Sequence, residues 1–342
     1  MQHTPPTRSV HWMTRIGAPL EHLFPAWFAL VMGWTGLAQA WLRGTDLLGD
    51  TALGLALVAG GFAALIFCLL CLASVWRLKL HLHAVIKDLQ HPIRHAFMAT
   101  FPVSVILLAA LGAALFQDTH PTLDLALAGL WCAGSVLEFV ATVWVISRWL
   151  RPHAEGGLQW PALTPALFIP VVGNVLAPLG GVPLGFESWS VAQFGIGLLL
   201  WPILQTLLFV RWGQVGPLPA KLSPTLFICV APPSAVGLSL LVMQAPMLLA
   251  WAAWGMALFF LTLTLTQLEA MRAQPFGMSF WGMSFPLAAF SALTLRLAST
   301  PEGAWLQLPA LGMLALTSLV ILGLTLGTWR GLRNGRLLVA DA

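Results

Sequence analysis

The sequence predicts an all-α membrane protein of ten transmembrane helices, paired as five helical hairpins around a central path. Three observations support this prediction. The 342 residues are 58% hydrophobic and only 8% charged, with a mean hydropathy of +0.85. Proline-marked apolar stretches recur at a regular interval, and the basic residues are shared very unequally among the loops. A soluble fold of this size needs more charge to hydrate its surface, which excludes the soluble classes of protein.

Ten apolar stretches occupy most of the chain. Most have about 19–25 residues, enough to cross about 30 Å of hydrocarbon at about 1.5 Å per residue. We predict spans at 24–42, 52–75, 97–116, 123–147, 163–182, 189–210, 224–243, 246–268, 280–298 and 306–328. The loops and tails are too short for a soluble domain. Residues 1–342 are therefore predicted to form a single transmembrane channel domain, with short cytoplasmic tails at 1–22 and 330–342.

Every second apolar stretch carries a proline near its start or within it, in steps of 77, 68, 62 and 54 residues. Each step is about the length of two spans with two loops. A proline inside a helix loses one backbone hydrogen bond and clashes with the preceding turn, at about 3 kcal/mol. Lipid tolerates such broken helices where the freed backbone faces protein or water, so the interval predicts five hairpin copies around a central path. The marks are Phe24-Pro25, Phe101-Pro102, Ile169-Pro170, Ala231-Pro232 and Phe285-Pro286.

The charges predict the orientation of the chain. Fourteen of the sixteen Lys and Arg residues lie on the side of the two termini, including Arg8 and Arg15, and the other side holds only Arg43 and Arg296. The positive-inside rule then places both termini in the cytoplasm, and the first residues lack the pattern of a cleavable signal peptide. We interpret the basic excess as a topology signal and predict no nucleic-acid partner. The opposite side carries Asp46, Asp50, Asp118, Asp124, Glu187 and Glu302.

The spans are nearly free of charge. Glu138, in the fourth span, is essentially the one carboxylate inside them. A charge at the bilayer centre costs from about 2.5 to more than 10 kcal/mol, so Glu138 is either a coupling acid or a structural carboxyl bonded to a neighbouring helix. No catalytic motif occurs, and no cofactor or metal site is predicted. A path without fixed charges or coupling groups favours passive flow, controlled by pore width and apolar constrictions.

Phenylalanine precedes the proline at three of the five marks, in Phe24, Phe101 and Phe285. A ring at a kink can close a narrow apolar lumen, because a dewetted constriction stops ions. Plain packing between helices is the alternative for each ring. The repeated position makes Phe285 the candidate gate.

Motifs around these prolines resemble a known family, in order and over nearly the whole chain. They are HLFPAWFALVMGWTGLA, HPIRHAFMATFPVSVILLA, IPVVGN, GPLPAKLSPTLFICVAPPSAVGLS and QPFGMSFWGMSFPLAAFSALTL. The family is the tellurite-resistance/C4-dicarboxylate transporter family, which includes bacterial TehA-type proteins and the slow-type anion channels of plants.

The resemblance implies a quasi-five-fold pore, lined by the odd-numbered helices and surrounded by the even-numbered ones, in a homotrimer with one pore per subunit. It also implies that the gate phenylalanine is Phe285, in the motif Ser284-Phe285-Pro286 of the ninth helix. The residues predicted to line the pore are Phe24, Pro25, Phe101, Pro102, Pro170, Asn174, Pro232 and Pro286.

These patterns together predict a passive anion channel of the bacterial inner membrane, whose partners are small inorganic or organic anions and the lipid bilayer. A proton-coupled carrier or exporter of C4-dicarboxylates such as malic acid, or of tellurite, is the alternative, because family members so described share the motifs. Five proline marks disfavour an exporter built from two equal halves. An intramembrane enzyme is disfavoured because the sequence shows neither a nucleophile–base pair nor a set of metal ligands.

Overall fold

The computed structural model describes residues 18–117, 119–152 and 157–339. Every regular element in these ranges is helical, and they contain no β-strand. Arg8, Arg15 and Asp118, which contributed to the predicted orientation, lie outside the described residues, as do parts of both predicted tails.

Ten α-helices of 12 residues or more account for most of the described chain. Shorter helices at Thr45–Leu48, Leu82–Gln90 and Leu268–Arg272 lie in the connections between them. The ten long helices are α1 (Ala29–Arg43), α2 (Asp50–Leu80), α3 (Thr100–Phe116), α4 (Pro121–Ser147), α5 (Phe168–Gly181), α6 (Glu187–Val215), α7 (Ala231–Val242), α8 (Met247–Leu265), α9 (Ser284–Ala298) and α10 (Gln307–Arg333).

Each odd-numbered helix is preceded by a 3-10 segment, and the marked proline lies at this junction. The segments are Pro25–Phe28, Arg94–Ala99, Pro165–Leu167, Ala220–Val230 and Met278–Met283. Pro102, Pro170 and Pro286 are the third residues of their α-helices, and Pro232 is the second of α7. A first-turn N–H has no partner inside its own helix, so proline is well tolerated there. The expected loss of about 3 kcal/mol per mark is therefore wrong, because these prolines begin α-helices instead of breaking them.

Eight helical segments of the described chain are long and apolar enough to cross a membrane, which makes the protein a multi-pass membrane protein. A shorter apolar segment, Pro165–Gly181, also occurs, and α1 has only 15 residues. These two correspond to the predicted spans 24–42 and 163–182. The eight segments are Asp50–Leu80, Arg94–Phe116, Pro121–Leu150, Glu187–Val215, Ala220–Val242, Met247–Leu265, Met278–Ala298 and Pro301–Arg333.

The contacts among the described helices arrange them in two layers. Helix α1 packs against α3, α3 against α5, α5 against α7, α7 against α9, and α9 against α1, which closes a ring. Each even-numbered helix packs on the odd-numbered helix before it. Burial follows the same division. The apolar windows around α3, α7 and α9 are 67–78% buried, whereas those of the five even-numbered helices are at most 39% buried. We call the odd-numbered helices the ring and the even-numbered helices the outer layer.

Two close approaches define how α1 and α9 are aligned in the ring. A Cβ added to Gly33 would overlap Ser284, and one added to Gly36 would lie 3.0 Å from the Cβ of Ala288. The contacts advance along both helices in the same direction, so the two helices are parallel. Small residues permit this close packing where no hydrophobic effect drives helices together.

Candidate functional site: a cavity at the start of the ring helices

The starts of all five ring helices meet at one cavity with a volume of about 40 Å³. We call this side of the ring the near end, and the side where the ring helices finish the far end. The cavity is lined mainly by apolar side chains, and no charged residue lines it. Its walls include Ala29 and Met32 from α1, Thr100 from α3, Ile169 and Val172 from α5, Ile228 and Ala231 around the start of α7, and Phe285 and Pro286 from α9.

The hydroxyl groups at the cavity are already engaged with the backbone. Thr100 Oγ1 donates a hydrogen bond to the carbonyl oxygen of Pro25 at 2.6 Å. Thr225 Oγ1 donates to the carbonyl of Leu222 at 2.6 Å, and Ser279 Oγ donates to that of Lys221 at 2.7 Å. An ion entering the cavity would therefore meet apolar groups and bound hydroxyls, which replace its hydration shell poorly.

Phe285 lies in the cavity wall and its side chain is buried, with the residue 5% exposed. Gly36 of α1 makes room for the phenyl ring of Phe285, because a Cβ at position 36 would be 3.2 Å from Phe285 Cδ2. A contact this short would require the neighbouring ring to move by a few tenths of an ångström. The phenyl ring of Phe285 is therefore packed against the backbone of α1 in the cavity wall.

The other two phenylalanines of the proline marks pack against neighbouring rings. Phe24 makes an edge-to-face contact with Phe97 at 5.9 Å between centroids. Phe101 contacts Phe28 of the first 3-10 segment and stacks on Phe67 of the outer layer, with centroids 5.2 and 5.9 Å away. Phe101 thus lies among α1, α2 and α3 instead of beside Phe285.

The predicted pore-lining polar residue, Asn174, points toward the outer layer. Its Nδ2 donates to Thr142 Oγ1 of α4 at 2.6 Å and to the carbonyl of Pro170 at 2.7 Å. Pro286 shares the cavity wall with Phe285, whereas Pro25, Pro102, Pro170 and Pro232 are not among the residues that line it. Of the predicted set, the structure brings Phe285 and Pro286 together at the cavity.

Glu138 is fully buried on α4, behind ring helix α5. A Cβ added to Gly173 of α5 would overlap its carboxyl group, so this glycine provides the space that the acid occupies. Neither carboxyl oxygen has a hydrogen-bond partner among the described residues. The acid lies close to the Asn174–Thr142 pair, since Thr142 Oγ1 donates to the backbone carbonyl of Glu138 at 2.9 Å. It does not line the cavity.

A buried ionic cluster lies beside the near end of the ring. It was not predicted from the sequence. Asp88, in the helix Leu82–Gln90, is 3% exposed and accepts hydrogen bonds from Arg77 at 2.6 Å and from Arg94 at 2.9 Å. Arg77 also donates to the backbone carbonyl of Glu21 at 3.0 Å. The same short helix carries exposed apolar side chains, including Leu82 and Ile86. Arg77 and Asp88 lie in different helices because the backbone turns at His81, so their spacing in the sequence did not predict that their side chains meet.

The cluster reaches the cavity through aromatic contacts. The guanidinium of Arg94 lies 5.2 Å from the centroid of Phe24, which packs on the cavity-lining Phe97. Beside it, Nδ1 of His91 accepts hydrogen bonds from the backbone N–H groups of Ile93 and Arg94, at 3.1 Å each. Burial, together with the charge of Arg94, lowers the pKa of His91, which agrees with a neutral, accepting ring.

The whole ring and its outer layer fall within one recognised family. Residues 22–329 match the SLAC1 family, described as voltage-dependent anion channel. An uncharacterized transporter of Methanocaldococcus jannaschii is 26% identical over 301 residues, covering 80% of this chain and 83% of its own. The S-type anion channel SLAH2 of Arabidopsis thaliana is 25% identical over 252 residues, which cover 72% of this chain and 47% of that protein.

A bacterial relative is named for tellurite resistance. The tellurite resistance protein TehA homolog of Haemophilus influenzae is 23% identical over 208 residues, 60% of each chain. The resemblance stated from the motifs is thus confirmed, and the match over most of the sequence shows that this chain belongs to the SLAC1 family.

Proposed function

We propose that the protein is a passive anion channel of the bacterial inner membrane, with Phe285 of α9 as its gate. The observation that carries this proposal is the position of Phe285 in the wall of the one cavity, among those described, to which all five ring helices contribute. Anion transport in general is supported by the family and by relatives named as anion channels. We further propose ten membrane spans in five hairpins, which makes the ring the wall of a quasi-five-fold pore.

The geometry of the ring favours anions over cations without using a fixed charge. The five ring helices begin around the cavity, and the aligned peptide dipoles of a helix give its start a partial positive charge. The positive ends of these dipoles lie around the cavity, and none of the described residues that line it is a carboxylate. Passage then depends on dehydration in an apolar constriction instead of on a specific binding group.

This mechanism predicts weak selectivity that follows the ease of dehydration. Nitrate and bromide should pass at least as well as chloride, and sulfate and malate should pass less well, because a cavity of about 40 Å³ offers apolar walls to a strongly hydrated ion. The measurement is the reversal potential of the purified channel in planar bilayers, under gradients of each salt in turn. Strict preference for one dicarboxylate would contradict passive flow and favour a carrier.

A coupled carrier of C4-dicarboxylates or tellurite is the second candidate, and the unpartnered carboxyl of Glu138 is the observation that favours it. An acid buried within a membrane span is a candidate functional group, and a proton relay is one such role. Its position behind α5 and outside the cavity wall supports a structural role instead.

The substitution Glu138→Gln separates these two functions. We expect anion flux to be unchanged within about twofold, because glutamine keeps the shape of the side chain and the acid does not line the path. The measurement is anion flux into proteoliposomes with and without a pH gradient. Ser135→Ala, about one turn away on α4, is the control for disturbing the packing of α4, since the Ser135 hydroxyl is hydrogen-bonded to Gln193 of α6. Flux in the parent protein that follows the pH gradient, and loses this dependence in Glu138→Gln, would establish coupling.

The remaining properties of the assembly follow the family pattern. We propose a homotrimer with one pore in each subunit, a single transmembrane domain over residues 1–342, and both termini in the cytoplasm. The excess of basic residues on the side of the termini supports this topology. The near end, where the cavity lies, is then the cytoplasmic end of the pore.

A further inference from the structure

The two basic residues of the basic-poor side, Arg43 and Arg296, lie on neighbouring ring helices at the far end. Arg43 is the last residue of α1, and Arg296 is in the last turn of α9. The helices are parallel, and Gly36 lies level with Phe285 and Ala288. Seven residues further along each helix, the chain reaches Arg43 on α1 and residues 292–295 on α9. The two arginines therefore sit at nearly the same height in the ring.

Both arginines fall on the helix faces that line the cavity. Arg43 follows the cavity-lining Met32 by 11 residues, and Arg296 follows Phe285 by the same 11 residues. Eleven residues are close to three turns at 3.6 residues per turn, so each arginine returns to the face of its cavity residue, about 16 Å further along. Arg43 and Arg296 consequently lie on the same helix faces as the cavity residues Met32 and Phe285, of which Phe285 is the candidate gate.

Exposure agrees with this placement. Every residue of α9 from Ser284 to Ala298 is buried except Arg296, which is exposed. A ring helix is enclosed by its two ring neighbours and by the outer layer. A side chain can therefore be exposed from it only toward the central path or beyond the end of the helix.

The two guanidinium groups lie close enough for their charges to interact. Arg296 is close enough for its positive charge to act on Arg43, and Asp46, in the next short helix, is the carboxylate that acts on Arg43. Within the described residues, neither arginine forms an ion pair or a side-chain hydrogen bond. Like charges close together on the wall of the ring repel each other, and a bound anion reduces this repulsion.

We propose that Arg43 and Arg296 form a binding site for a small anion at the far end of the path, about three turns beyond Phe285. Guanidinium groups suit this role, because each presents several N–H donors and stays charged at every working pH. Chloride, nitrate and a single carboxylate group share the chemistry that the pair recognises. The site rests on the proposed anion conduction. The gate itself carries no charge, and the two arginines would concentrate anions at the far end of the path.

The test uses the Phe285→Ala protein as an open background, with Arg43→Gln and Arg296→Gln added singly and together. At about 0.01 M salt, where charges act over about 30 Å, we expect the double variant to lose anion conductance by roughly tenfold. At about 1 M salt, where the range falls to about 3 Å, the loss should largely disappear. Arg43→Lys with Arg296→Lys should restore most of the conductance. Arg333→Gln, an exposed arginine at the end of α10, is the matched control and should change nothing.

A second measurement keeps this site distinguishable from the proposed function. An anion that binds the folded protein raises its melting temperature, so nitrate should stabilise the parent protein in detergent and fail to stabilise the double glutamine variant. An absence of current in Phe285→Ala would overturn the channel and leave the nitrate measurement to decide the site. Equal conductance of the double variant at low salt, or a loss that neither salt nor lysine relieves, would overturn the site.

Discussion

Replacing Phe285 with alanine is expected to raise the anion current of the purified protein by roughly two orders of magnitude. The phenyl ring of Phe285 lies in the wall of the cavity shared by the five ring helices and packs against Gly36. Removing it widens the apolar constriction, so an ion keeps more of its water while it passes. Lowering the barrier by about 3 kcal/mol would raise the flux about 100-fold, at about 1.4 kcal/mol for each factor of ten. Currents in planar bilayers measure this directly.

Truncating a buried ring also removes packing, at about 3–5 kcal/mol, so the variant needs a control with the same loss. Phe290→Ala provides it on the same helix. Phe290 is equally buried, but its ring stacks on Trp254 of the outer layer at 6.1 Å. This control should lose comparable stability and stay closed. Equal current in the two variants would mean that Phe285 packs the protein instead of gating it, and an unchanged, closed Phe285→Ala channel would reject the gate outright.

Replacing Asp88 with asparagine is expected to cause the second large effect, a loss of stability by about 3–5 kcal/mol. The carboxylate is 3% exposed and neutralises Arg77, whose side chain is 5% exposed, together with Arg94. Asparagine keeps the shape but removes the carboxylate that binds both guanidinium groups, and Arg77 then stays buried without this counter-charge. A buried guanidinium group that loses its counter-charge and cannot return to water destabilises the folded protein. Thermal unfolding in detergent measures the loss.

The matched control is Glu302→Gln, an exposed carboxylate before α10, which should change stability by less than about 0.5 kcal/mol. Because Arg94 lies over Phe24, and Phe24 packs on the cavity-lining Phe97, we also expect the single-channel current of Asp88→Asn to become noisier. Unfolding temperatures that agree between Asp88→Asn and the parent protein would show that the two arginines find other partners, and would remove the cluster as a support of the near end.

The structure contains, within its described residues, eight of the ten predicted spans as helices long and apolar enough to cross a membrane, because the sequence pattern of a span is local. A run of about 20 apolar residues has one physical explanation, and eight segments of the described chain meet that standard. The five prolines were also informative, although for a different reason than expected. They mark the starts of α3, α5, α7 and α9 and of the 3-10 segment before α1, where a missing N–H is tolerated.

The hydrophobic pattern does not distinguish the three phenylalanines that precede these prolines, and the choice of Phe285 as the gate came mainly from its resemblance to the family motif. A ring helix is buried on every side, as α5 is over all of its 14 residues, so no face stands out in its hydrophobic pattern. Phe101 and Phe285 therefore look alike in the chain. The structure separates them, because Phe101 stacks on Phe67 of the outer layer while Phe285 lies at the cavity.

Composition, apolar run lengths and motifs by themselves determined that this is a multi-pass helical membrane protein of the SLAC1 family, since each of these is set by residues that are near one another in the chain. Only the tertiary structure decided which residues meet. It brought Phe285 to the common cavity, enclosed Asp88 between Arg77 and Arg94, and set Arg43 beside Arg296 from positions 253 residues apart. The reason is that such neighbours depend on the packing and relative height of whole helices, which no local pattern encodes.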